Sequence, residues 1–199
     1  MATYITRLQL LETLKQKNIT LFTLSDLKKI FSFSSKDTLI HMVRRLKKDR
    51  IIEKLTRSKY LFLHGRKVSD FELANFLVVP SYVSLESALS YYGIITQFPY
   101  HISSLTLGKS RIIKSRNKIF QYSQIKNEYF KDFVKIENFL LASREKAIFD
   151  YLYFIYKGLR PISKFDDLAI YLKEKSIRRY ITNNAKQKLI RFFKKHAKL

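Results

Sequence analysis

Apolar residues recur along this chain at helical spacing in some stretches and at strand spacing in others, and their order outlines a mixed fold. Ile5, Leu8, Leu11 and Leu14 predict a helix over residues 4–17. After a short connection, 18–23, a second helix is expected over 24–31. Ser32-Phe33-Ser34 then reads as a turn, with Ser34 or Ser35 as the N-cap of a third helix over 35–48. On a helical wheel, Leu39, Met42, Val43 and Leu46 form one apolar stripe of that helix. Asp37, His41, Arg44 and Lys48 fall opposite it, flanked by Thr38 and Arg45. Two β-type runs, 51–55 and 60–63, bracket Thr56-Arg57-Ser58-Lys59. The whole reads as a winged helix-turn-helix, with that loop as the wing.

The polar segment His64-Gly65-Arg66-Lys67-Val68-Ser69-Asp70 holds one of only four glycines and is taken as the domain boundary, which gives domains 1–67 and 68–199. In the second, helices are predicted over 70–76, over 84–92 with Ser84 as cap and Gly93 as terminator, and over 143–156 with Ala147, Ile148, Tyr151, Leu152 and Ile155 inward. Between them, 102–107, 111–114, 119–125 and 133–141 are β-like. From 163 to 199 the pattern is helical, with Ile177, Tyr180, Ile181, Ala185, Leu189 and Phe192 as its stripe. The expected fold class is α+β: a winged helix-turn-helix, then a mixed α/β domain with a basic helical tail.

Charge sharpens this outline. The net charge of +23 is concentrated at the ends: residues 1–67 carry 16 Lys/Arg against 5 acids, residues 68–172 carry 13 against 10, and residues 173–199 carry 10 against 1. Gathered cations suit an anionic partner better than an evenly basic chain does. In a helix-turn-helix the second helix enters the major groove and reads base edges with its N-terminal half. Ser35, Lys36, Thr38 and His41 hold those positions here, with Arg44, Arg45 and Lys48 nearer the backbone and Arg57 and Lys59 on the wing. Double-stranded DNA is the expected partner. The C-terminal basic face, with Arg178, Arg179, Lys186, Lys188, Arg191, Lys194 and Lys195, admits a solvated surface, a second nucleic-acid patch, or a partner or membrane surface.

Enzyme signatures are sparse. No cysteine occurs, and His41, His64, His101 and His196 show no metal-ligand spacing, so neither metal nor cofactor is expected. Gly108-Lys109-Ser110 resembles the end of a phosphate loop, but Ser103 stands where the first glycine belongs. Asp166-Asp167 sits where a helix N-terminus favours negative charge, and Glu145 and Asp150 are five apart, on different helical faces. Arg7 and Glu12 interrupt any secretory signal, and 87–108 is too polar to span a membrane. The expectation is a cytoplasmic protein without enzymatic activity.

The stretch Pro80-Ser81-Tyr82-Val83-Ser84-Leu85-Glu86-Ser87-Ala88-Leu89-Ser90-Tyr91-Tyr92-Gly93-Ile94-Ile95, the strand 102–107, Phe130-Lys131-Asp132-Phe133 and Leu141-Ala142-Ser143-Arg144-Glu145-Lys146-Ala147-Ile148-Phe149-Asp150 follow the helix-turn-helix in that order. In this the chain resembles the antitoxins of AbiE-type (type IV) toxin-antitoxin and phage abortive-infection systems, over residues 4–156. Ser58 departs from the family pattern where glycine is frequent in the wing, and so does Lys131-Asp132 after the aromatic. The resemblance implies an N-terminal domain that binds operator inverted repeats and represses transcription. It also implies a C-terminal domain that counteracts a nucleotidyltransferase toxin without a stable complex. The run Lys109, Arg111, Lys114, Arg116 and Lys118 is the candidate antitoxin surface, with RNA as a further possible partner. The alternative is a stand-alone winged-helix regulator whose second domain senses a ligand or mediates assembly.

Overall fold

A computed structural model describes residues 6–31, 33, 35–97 and 99–196. The fold is mixed α+β and divides into two compact units, Met1–Ser69 and Asp70–Leu199. The division falls two residues beyond Lys67. No helix among the described residues is long and apolar enough to cross a membrane.

The first unit runs α1 (Arg7–Gln16), β1 (Leu21–Thr23), α2 (Leu24–Ile30), α3 (Lys36–Lys48), β2 (Ile52–Lys54) and β3 (Lys59–Phe62). Its strands form an antiparallel sheet of order β1-β3-β2. β1 lies within the stretch expected to be a plain connection. Three residues are too few to show a period of two, yet Phe22 is fully buried and stacks on Tyr60 across the sheet at 5.8 Å. Thr23 ends the strand and caps α2: its hydroxyl accepts the Asp26 N–H, while the Asp26 carboxylate accepts the Thr23 N–H at 2.8 Å. Leu10, Leu14, Leu27, Leu39 and Leu46 close the core beneath the sheet. Leu8, expected on the inner stripe of α1, is 63% exposed, because the buried line follows Leu10 and Leu14. Ser34 and Ile5 lie outside the described residues.

The second unit contains α4 (Asp70–Leu77), β4 (Ser81–Val83), α5 (Leu85–Tyr91), β5 (Ile102–Thr106), β6 (Arg111–Ser115), β7 (Lys118–Gln124), β8 (Phe133–Ile136), β9 (Phe139–Ala142) and α6 (Arg144–Tyr156). They are followed by α7 (Lys164–Ala169), a 3-10 turn, α8 (Lys175–Asn184) and α9 (Gln187–His196). Its sheet has the order β6-β7-β5-β4-β9-β8. The pairs β6/β7, β5/β4 and β9/β8 are antiparallel, and the two seams joining them, β7/β5 and β4/β9, are parallel.

Besides the short strand β4, which the sequence pattern does not predict, three features differ from the sequence expectation. The run 133–141 is two strands, folded back at Glu137, whose φ of 48° places a non-glycine residue in the left-handed region. The basic tail is two helices, because Ala185 turns to extended backbone (ψ 143°) and ends α8. The inward residue of α9 is then Phe193, with Phe192 only partly covered. Ser84 occupies the cap position of α5, but its hydroxyl makes no cap bond; it donates to Asp150 at 2.8 Å. The side chains of Asp166 and Asp167 lie outside the described residues.

The two positions that differ from the antitoxin pattern, Asp132 and Ser58, also have a backbone account. Asp132 has φ 58°, the conformation that glycine adopts most readily, and its carboxylate accepts the Tyr180 hydroxyl at 2.6 Å. Ser58 keeps a negative φ, so the β2–β3 loop has no need of glycine there.

Candidate nucleic-acid interface

α3 is begun by Ser35, whose hydroxyl accepts the Thr38 N–H at 3.1 Å and shares a 3.0 Å hydrogen bond with the Thr38 hydroxyl. Asp37 in the first turn complements the positive end of the helix dipole. Leu39, Val43 and Leu46 face the core at 6% exposure or less. Lys36, His41, Arg44, Arg45, Lys47 and Lys48 are all exposed. The side chains of Lys36, His41, Arg44, Arg45 and Lys48 have no ion-pair or hydrogen-bond partner among the described residues. Asp49, just past the helix, is instead paired with Arg7 of α1 at 2.9 Å. The helix therefore carries a cationic face held rigidly from behind, with its donors directed to solvent.

The loop between β2 and β3 is pinned at both ends. Leu55 N–H donates to Lys59 C=O at 2.9 Å, and Leu24 N–H donates to Ser58 C=O at 3.1 Å. Arg57 projects from it, exposed. Lys59 opens β3 instead, half-buried opposite Thr23, and burial lowers the pKa of its ammonium. Of the two loop cations, Arg57 is the more exposed.

The five cations of the run Lys109, Arg111, Lys114, Arg116 and Lys118 do not share one face. Register pairs Arg111 with Tyr122 and Ser115 with Lys118, so these residues lie on the face of the sheet where Tyr122 donates to Ala74 C=O of α4 at 2.7 Å. Lys114, between them, points to the opposite face with Ile112. Lys118 is paired with Asp70 at the start of α4, and Arg111 Nε–H donates to Lys109 C=O at 3.2 Å. Gly108-Lys109-Ser110 leads into β6, without the helix a phosphate loop requires. The basic positions on α8 and α9 are exposed, apart from local ties: Arg178 Nε–H donates to Leu172 C=O at 2.8 Å and Lys186 pairs with Glu128 at 2.7 Å.

The chemistry that sequence reasoning missed is buried. Lys146 and Asp150, 1% and 0% exposed, pair at 2.6 Å one turn apart on α6. Lys146 also donates to Tyr129 C=O at 2.6 Å. Asp150 accepts the Ser84 hydroxyl at 2.8 Å and the Tyr82 hydroxyl at 3.0 Å. Burial pushes the Asp150 carboxyl up against the opposing pull of Lys146, Ser84 and Tyr82, and burial beside Asp150 likewise raises the Tyr82 phenol well above its usual value. The Tyr82 ring stacks on Phe133 at 4.9 Å and meets Phe130 edge-on at 5.2 Å. Residues from the stretches 80–95, 130–133 and 141–150 thus converge on one buried network, which fastens α6 to β4. The available signal was an opposite-charge pair at i, i+4 on a helix with almost no polar face.

A second pair, Glu86–Arg160, ties α5 to the segment after α6, with Nε–H···Oε1 at 2.5 Å and the Ser103 hydroxyl donating to Oε2 at 3.0 Å. Burial alone would raise the Glu86 carboxyl; the Arg160 guanidinium outweighs it and holds the group below the usual range. Among the described residues no three His, Asp or Glu side chains converge as a metal site. Comparison with known protein families and with characterised proteins finds no match for this chain.

Proposed function

We propose that Met1–Ser69 is a winged helix-turn-helix that reads operator DNA with α3, and that the whole chain is the antitoxin of a type IV toxin-antitoxin system that represses its own operon. The observation that carries the DNA reading is the exposed face of α3. Lys36, His41, Arg44, Arg45 and Lys48 stand unpaired among the described residues on a helix anchored behind by Leu39, Val43 and Leu46. Such a helix fits the major groove, and Arg57 on the following loop is placed for flanking phosphate. The antitoxin half rests on the resemblance carried by residues 80–95, 102–107, 130–133 and 141–150.

The test is fluorescence anisotropy with a duplex holding the inverted repeat upstream of the chain's own gene. His41→Ala and Arg44→Ala weaken binding, and each cation that neutralises a phosphate steepens the log-log salt dependence by about 0.9. Wild-type affinity in both variants overturns the groove assignment. Rescue from the cognate nucleotidyltransferase on co-expression tests the second half. Failure of the full chain to rescue leaves a stand-alone regulator whose second unit senses a ligand or mediates assembly; cavities of about 340 and 520 Å³ in that unit favour the ligand.

A further inference from the structure

One of these cavities, of about 520 Å³, lies in the second unit at the end of the sheet where the parallel strands β5 and β7 begin. Its size falls within the range of small-ligand sites. Its lining combines the aromatic rings of Phe71, Tyr91 and Tyr100 with polar groups from Asp70, Asn117 and Lys118. Phe71 is fixed edge-on against Phe139 at 5.4 Å and lies 6.1 Å from Tyr91. Tyr100 is 88% exposed and Tyr91, which meets Tyr92 edge-on at 5.3 Å, is 49% exposed, so one ring stands uncovered and a second half-covered at the mouth. Large exposed aromatics grouped around a concavity mark a contact surface more often than chance exposure.

The polar groups are equally well set. Arg116 and Asn117, with φ 52° and 58°, form the two-residue turn between β6 and β7, whose register closes at Ser115 and Lys118. The turn presents the Asn117 amide, both donor and acceptor, beside the Lys118 ammonium. Asp70 engages Lys118, but an ammonium has three donors, and the group stays half exposed. A ligand matching both the rings and these groups has a flat aromatic body, polar edges and an anionic group.

We propose that this cavity binds a nucleotide, with the base stacked on Tyr100 and Tyr91, a base edge at Asn117 and the phosphate at Lys118. The site is independent of α3 and of the DNA reading. The same chemistry is offered by a free mononucleotide and by an unpaired nucleotide of an RNA strand.

Calorimetric titration of the full chain with uridine 5′-monophosphate, with uridine and with a short single-stranded RNA tests it, alongside crosslinking of thiouridine-substituted RNA read by mass spectrometry. Saturation by the mononucleotide identifies a small ligand, and saturation by the RNA alone identifies a strand; either supports the site. The paired change Tyr91→Ala and Tyr100→Ala weakens binding about tenfold or more, and Tyr100→Phe, which keeps the ring, stays within about twofold. Lys118→Gln reduces affinity for the monophosphate and leaves uridine unaffected. Crosslinks fall on Tyr91 or Tyr100. Because Tyr100 is almost fully exposed, its truncation removes no core contact. His41→Ala and Arg44→Ala bind the nucleotide as wild type does, which separates failure of this site from failure of the operator reading. Absence of binding to all three probes, or an unchanged affinity in the paired tyrosine variant, overturns the proposal.

Discussion

α3 and α6 are both 13 residues long and both begin at a serine whose hydroxyl accepts a backbone N–H, yet they put their charges in opposite places. In α3 a narrow apolar stripe faces the core and the cations face water. In α6 the buried surface runs unbroken from Lys146 to Ile155, so its charged pair is inside. The contrast teaches that a charged residue in a helix becomes a surface charge only where the apolar stripe leaves it a free face. Where the stripe wraps the helix, a charge must bring its own partner, as Lys146 does with Asp150.

The sharpest test breaks the inner pair. Lys146→Ala leaves an uncompensated carboxylate in the core and is expected to cost about 3–5 kcal/mol in urea unfolding. Removing both charges, Lys146→Met with Asp150→Asn, restores part of that loss. Stability of Lys146→Ala within experimental error of wild type would show that the inner charges are dispensable. The outer face should behave in the reverse way. Arg44→Ala weakens operator binding by about 1–3 kcal/mol while unfolding stability moves by no more than about 0.5 kcal/mol.

The Glu86–Arg160 pair lies between these extremes, mostly but not wholly buried. Glu86→Gln is expected to destabilise the fold by about 1–2 kcal/mol at neutral pH. The folded-state carboxyl has a lowered pKa, so its stabilisation is present above the usual carboxylate value and is lost as pH falls through the folded value. The gap in Tm between wild type and Glu86→Gln should therefore close on acidification; a gap that widens would contradict the sign. The smallest expected effect is at the cap of α3: Ser35→Ala costs about 1 kcal/mol, read by thermal unfolding.

α3 was legible because its period, cap and charges agree, and α2, β2 and β3 followed from it. The strands β1 and β4 were not: unlike β2, which sits within the longer β-type run 51–55, each offers three residues in which alternation cannot be distinguished from chance, and both form by pairing with strands far along the chain. The β8–β9 turn escaped notice because Glu137 takes the left-handed conformation without a glycine to announce it. The basic run on β6 and β7 looked like one surface, but period-two alternation sends Lys114 and Arg111 to opposite faces. Ser84 was assigned as a cap from local sequence alone; the partner it takes, Asp150, is 66 residues away.

The order of the six-stranded sheet implies an order of assembly. β6/β7 and β8/β9 each close through a two-residue turn, so they form with little loss of chain entropy. The parallel seams join segments that must first be carried together, and such contacts form slowly. Of the two, β5/β7 registers over five residue pairs and β4/β9 over one, Val83 with Leu141. Tyr82 and Ser84 stand on the β4 side of that thinner seam, and Asp150 stands on the helix that follows β9. The inner ion pair has its hydroxyl partners only where that seam is shut, so a single registered residue pair and two hydroxyls tie the charges of α6 to the sheet.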